Sequence, residues 1–212
     1  MDPSHSRKYN YSEIEVITGR LLKSHYPHGI VIPVEIDLIV EKHEFIDNII
    51  PAEGLQEKFN VAAILCKKPN SHFDILVDEY TIEHQRFRAS FSIAHEFGHL
   101  ILHTKIFENC ATIDNAITLN TRIKNSYQII EREANYFAGA LLMPQGCIIE
   151  DTAKIYEFMI KNGNYNTKID INEFCSTLAR RYEVNPEPMK YRLKELDLVK
   201  KIQTALLYKS PY

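Results

Sequence analysis

Apolar side chains recur at helical spacing over residues 11–26, where Ile14, Ile17, Leu21 and Leu22 share a face and Ser12 is placed to cap the N-terminus. Pro33, followed by Val34, Ile36, Ile39 and Val40, predicts a short second helix with proline near its start. Three β-favouring runs come next: Phe45–Ile50, Val61–Cys66 and Phe73–Asp78. Pro51, Gly54, Pro69 and Asn70 break them up, which predicts a small sheet of about three strands. From Thr81 to His103 no proline intervenes. Phe87, Phe91, Ala94, His95, Gly98 and Leu102 repeat at the spacing of one inward helix face, so the span reads as a single long helix. The polar stretch Asn109–Asn125 reads as a loop. A second long helix is expected from Ser126 to Met143, ended by Pro144 and Gly146. Residues 147–162 read as helical, and a turn follows over Asn162–Asn166. The tail reads as two short helices about Val184–Asn185–Pro186, then a short strand near Val199–Gln203.

The composition belongs to a globular chain: 45% hydrophobic and 25% charged residues over 212 positions. No apolar run approaches the roughly 18 residues that cross a bilayer. The opening MDPSHSRKYN has no apolar stretch and does not read as a secretory signal. Cys66, Cys110, Cys147 and Cys175 lie far apart and form no CxxC pair, so they are expected as reduced thiols in a cytoplasmic protein. A net charge of −3 argues against broad binding to nucleic acid or anionic membranes. The segment Cys175–Tyr212 differs, with eight basic and four acidic side chains. Arg180, Arg181, Lys190, Arg192 and Lys194 could meet phosphates, yet the interspersed acids favour packing or protein docking over direct DNA binding.

The chemistry concentrates in His95-Glu96-Phe97-Gly98-His99 on the long helix. Side chains at i and i+4 stack on one helix face, so both imidazoles can reach one metal ion. Glu96, beside the first histidine, is placed to take a proton from the attacking water rather than to ligate. A catalytic site of this kind needs a third protein ligand and an open fourth position. Positions 102 and 105 are Leu and Lys, which excludes the HExxHxxGxxH arrangement. His103 lies about 12 Å along the axis from His95 and is expected at the core edge or supporting a ligand.

The second long helix is the better source. Glu131, Ala134, Asn135, Ala138 and Leu142 share one face, and the alanines allow close approach to the first helix. Glu131 is therefore the expected third ligand. Asn135, one turn on, is expected to hydrogen-bond a ligand histidine from behind. Glu133 points away from that face and fits a solvated ion pair with Arg132. A donor to the oxyanion is also expected, but 12 tyrosines leave the choice open.

The run EREANYFAGALLMP (Glu131–Pro144), together with HEFGH, resembles the ImmA/IrrE family of HExxH zinc metalloproteases. The stretch Arg86–Ala94 resembles the family's RxRFSIAHE approach to the motif. Residues 178–198, LARRYEVNPEPMKYRLKELDL, resemble its LAxxFxVSxxAxxxRLxxLGL segment, with Asn185 and Asp197 where Ser and Gly are usual. The resemblance implies an α+β fold, mainly helical, with a gluzincin-like metallopeptidase core, a small β-sheet and a helix-turn-helix-like C-terminal tail. The division expected is 1–168 for the metallopeptidase-like domain and 169–212 for the tail. It further implies one Zn2+ per chain, with Mn2+ the alternative, held by His95, His99 and Glu131, and Glu96 as catalytic base. The implied function is cleavage of a partner helix-turn-helix transcriptional repressor in phage, mobile-element or stress control. The alternatives are a non-catalytic repressor- or DNA-binding module and a toxin-like peptidase of a two-gene operon.

Overall fold

A computed structural model describes residues 7–108, 110–122, 124–162 and 171–202. Asn10 opens the first helix, α1 (Tyr11–His25), with a capping box. Its side chain accepts from the Glu13 N–H at 2.9 Å while the Glu13 carboxylate accepts from the Asn10 N–H at 2.9 Å. Ser12, the expected cap, lies inside the helix because the reciprocal Asn10–Glu13 pair satisfies the terminal N–H groups first. The short helix α2 (Ile36–Glu41) turns Ile36, Ile39 and Val40 into the core.

The sheet has strands β1 (Ile46–Ala52), β2 (Ala63–Lys67) and β3 (Phe73–Asp78) in the order β1-β3-β2. β1 runs parallel to β3 and β2 antiparallel to it. Phe73, Ile75 and Val77 of the central strand are buried. Pro51, expected to break β1, sits within it; an edge strand tolerates a residue with no N–H to donate. A five-residue helix, α3 (Leu55–Phe59), fills the connection to β2 between two left-handed residues, Gly54 and Asn60.

The long helix expected over Thr81–His103 is two. The Asp78 carboxylate caps α4 (Glu79–His84) by accepting from the Thr81 N–H and hydroxyl. Non-helical backbone at Gln85 then separates it from α5 (Arg86–Phe107). Neither Pro nor Gly marks this break, so helical spacing alone runs through it. The expected loop over Asn109–Asn125 contains a helix, α6 (Ile113–Arg122), with Ile113, Ile117 and Leu119 against the core. Helix α7 (Lys124–Leu142) ends before Pro144, and α8 (Gln145–Asn162) follows at once. The expected turn beyond Asn162 lies outside the described residues.

Helices α9 (Ile171–Tyr182) and α10 (Pro186–Glu195) flank the Val184–Asn185 turn. The strand expected near Val199–Gln203 is helical over 198–202, and Gln203 lies outside the described residues. Mainly helical structure and one small sheet make the fold α+β. Among the described residues no helix is long and apolar enough to cross a membrane. All four cysteines are free.

Arg192, weighed above as a phosphate contact, is 1% exposed and faces inward. Its Nε donates to the Met143 carbonyl at 3.0 Å and its Nη1 to Glu15 Oε1 at 2.6 Å. Glu15 also accepts from the Tyr136 hydroxyl at 2.7 Å. One guanidinium thus ties α10 to α1 and to the end of α7 through Nε and Nη1, while its buried Nη2 has no hydrogen-bond partner among the described residues. Arg192→Ala leaves the Met143 carbonyl unpaired and Glu15 with one donor fewer, and should lower stability by about 3 kcal/mol, within the range for breaking a buried ion pair. A urea unfolding curve checks this; an unchanged midpoint would contradict it.

Candidate metal centre

Helices α5 and α7 cross at a glycine. A Cβ on Gly98 would stand 3.0 Å from Phe137 Cδ1 and 3.2 Å from Phe137 Cβ, so this position lets the two helices close up. Ala134 and Ala138 are fully buried on the same side of α7. This approach brings Glu131 to the two histidines of α5.

His95 Nε2 and His99 Nε2 face each other at 3.0 Å. Glu131 Oε2 lies 3.3 Å from the first, and Oε1 2.8 Å from the second. One donor atom from each residue lies within 4.8 Å of the others, so His95, His99 and Glu131 can hold a single metal ion. Two features fit a cation in that space. Both imidazole Nε2 atoms and the Glu131 carboxylate converge on one point, where a cation would replace the proton they otherwise share. Glu131 Oε1 is buried and accepts no hydrogen bond, although buried carboxylate oxygens are normally paired. Two imidazoles and one carboxylate are an open zinc-type donor set.

The electrostatics run the same way. Burial, the charge of His95 and that of His103 push the His99 pKa down to about 4, outweighing Glu131, so His99 is a neutral imidazole with a free lone pair. Burial also works against a charged His95, but the hydrogen bond and charge of Glu131 outweigh it and raise the pKa to about 9. Glu131 itself remains ionised: its two histidine partners lower its pKa strongly in spite of burial. The Asn135 amide oxygen lies 3.1 Å from His95 Nδ1, where it accepts that nitrogen's proton and turns Nε2 to the centre.

Glu96 faces the sheet rather than the two histidine Nε2 atoms. Its Oε2 accepts the Leu65 N–H of β2 at 2.8 Å. Burial pushes its pKa up to about 7, so it can both take and give a proton near neutrality. Nothing in the linear pattern pointed to Leu65, because that contact depends on how the sheet edge meets α5. A cleft of about 330 Å3 opens over these groups between the Asn60–Leu65 edge, α5, α6 and α7. No tyrosine lines it among the described residues. Its side-chain amide and hydroxyl donors are Asn60, Ser92 and Asn135.

Glu133 is not on a solvated face with Arg132. It is 4% exposed, and its Oε2 lies 2.9 Å from His103 Nε2. The packing of α7 against α5 brings both glutamates to α5, Glu131 at His95 and His99 and Glu133 at His103, a turn further on. The i, i+4, i+8 spacing of His95, His99 and His103 was the available signal.

The family profile of the IrrE N-terminal-like domain, an M78 peptidase domain, matches residues 80–194. No curated protein matches the chain. Among solved structures, a Mycobacterium tuberculosis transcriptional regulator aligns at 14% identity with a TM-score of 0.47, over 86% of this chain and 46% of its own. The chain thus spans about half the length of that protein.

Proposed function

The chain belongs to the M78 peptidase family of IrrE N-terminal-like domains, and from that premise we propose that it is a zinc-dependent endopeptidase whose substrate is a helix-turn-helix transcriptional repressor. The observation that carries the catalytic part is the convergence of His95, His99 and Glu131, with Glu96 beside them, under an open cleft. The donor set is gluzincin-like, two histidines from one helix and a glutamate from the next. Manganese is the other ion this set would accept.

The ion, when bound, supplies Lewis acidity to the scissile carbonyl and acidifies the attacking water. Glu96 removes that water's proton and passes it to the leaving amide nitrogen, the two-way role that a carboxyl with a pKa near neutrality can fill. Asn135 holds the His95 ring in orientation. The outer strand β2 supplies the seat. Leu65 and Lys67 turn their N–H groups away from β3, to Glu96 and to the Cys110 carbonyl, and Ala63 shares their side by the two-residue period. Those two N–H groups are taken, so an extended peptide would pair with this edge at its Ala63 end.

The repressor reading rests on the family resemblance of the EREANYFAGALLMP run and the 178–198 segment. Co-expression with a helix-turn-helix protein encoded beside this gene should give one discrete pair of repressor fragments, visible on a gel and by mass spectrometry, and a chelator should stop their appearance. General degradation would favour a toxin-like peptidase. A partner bound yet left whole with zinc or manganese supplied would favour a non-catalytic binding module.

A further inference from the structure

Behind His99 lies a chain of buried polar groups that the hydrolytic reading leaves without a role. Within α5 only His103 departs from helical geometry, with φ −129° and ψ 20°. Its side chain is fully buried. His103 Nδ1 lies 3.2 Å from His99 Nδ1, and His103 Nε2 lies 2.9 Å from Glu133 Oε2. Glu133 Oε1 accepts the backbone N–H of Tyr9 at 3.1 Å, from the segment that leads into α1. The Tyr9 ring stands edge-on to the His103 ring, centroids 6.4 Å apart.

Proton positions along this chain are fixed from its far end. An ionised carboxylate only accepts, and here its two oxygens face two donors, the Tyr9 N–H and His103 Nε2. His103 therefore carries its proton on Nε2 and offers a lone pair at Nδ1. His99 must donate to that lone pair from Nδ1, which leaves its own Nε2 bare and aimed at His95 and Glu131.

We propose that Glu133 and His103 are positioning residues: a buried relay, anchored by the Tyr9 backbone, that fixes the tautomer and ring orientation of His99 for metal binding. The proposal rests on reading His95, His99 and Glu131 as the metal site. Outer hydrogen bonds of this kind typically change metal affinity by about 10–100-fold.

Three substitutions in the full chain separate a relay from plain packing. His103→Leu fills the space but accepts nothing from His99. His103→Asn places an amide oxygen close to where Nδ1 stood. Glu133→Gln keeps one acceptor for two donors. Zinc affinity, measured by competition with a chelator, should weaken about 10-fold or more in the Leu and Gln variants and recover to within about 3-fold of the parent in the Asn variant. Nitrogen-15 histidine spectra of the zinc-loaded parent should show His99 protonated on Nδ1 and His103 on Nε2. These spectra and Glu133→Gln decide the matter even if His103→Leu does not fold. His103 protonated on Nδ1 would overturn the relay, as would Leu and Gln variants holding zinc within about twofold of the parent. In both cases the parent still binds one zinc and the metal reading stands. A parent that binds no stoichiometric zinc overturns both together.

Discussion

Zinc bound per chain should fall from about one to near zero in His95→Ala and in His99→Ala, measured by metal analysis after dialysis against buffer. On the proposed reading the site takes three protein ligands, and structural zinc sites with four gain roughly 10–16 kcal/mol from the ion. One ligand therefore accounts for about 3 kcal/mol, and losing it weakens affinity on the order of 100-fold or more. Glu131→Ala should do the same. It removes the only anion of the set, and its Oε1 stands 2.8 Å from His99 Nε2 with no hydrogen bond of its own. The pH dependence follows from which ligand holds a proton. His99, with its pKa pushed down to about 4, gives none up near neutrality, whereas His95, raised to about 9 by Glu131, must lose one before it can ligate. Zinc affinity of the parent should thus rise about tenfold per pH unit up to about 9, with release of one proton per ion. Full metal retention in both histidine variants would place the ion elsewhere. A flat pH profile would show that His95 is not the protonated ligand.

The groups that converge on this centre were legible because helix geometry is local. The i, i+4 spacing of His95 and His99, and the Glu131–Ala134–Asn135–Ala138 face, follow from 3.6 residues per turn without knowledge of the fold, and the structure brings these groups together. Helix phase alone failed at Glu133. The expectation that it faces solvent counted only the face of α7 that Glu131 shares and left out what the C-terminal end of α5 offers. His103 takes up the carboxylate that the phase argument sent outward. Local signals also missed the break at Gln85, which no proline or glycine marks, and helix α6, whose polar sequence offers only Ile113 and Ile117 at i, i+4 spacing. The inward turn of Arg192 is a tertiary effect as well: nothing near it in sequence supplies Glu15 or the Met143 carbonyl.

Glu96→Gln should leave zinc binding intact and lower the cleavage rate on the order of 10^2–10^4-fold, the usual contribution of a positioned general base. The two outcomes separate because Glu96 stands outside the ligand set. His95 and His99 point their Nε2 atoms at Glu131, while the Glu96 carboxylate turns toward β2 and accepts the Leu65 N–H at 2.8 Å. A glutamine carbonyl can accept that same bond, and the amide is close to isosteric, so the strand and the cleft keep their places. The amide cannot take up a proton, so the attacking water keeps its own and the leaving nitrogen receives none. The acid side of the parent's pH–rate profile should report the same group. Burial holds Glu96 at about 7 in spite of the charge of His95, and a dication close by would favour the carboxylate further, so the rate should fall as pH drops through a value below about 7. That acid limb should vanish from the residual rate of the Gln variant. Zinc content, fragment yield and pH profile can all be measured on the same two preparations. A Gln variant that cuts as fast as the parent would remove Glu96 from the mechanism. A variant that loses its zinc would instead make Glu96 a ligand and require a different base.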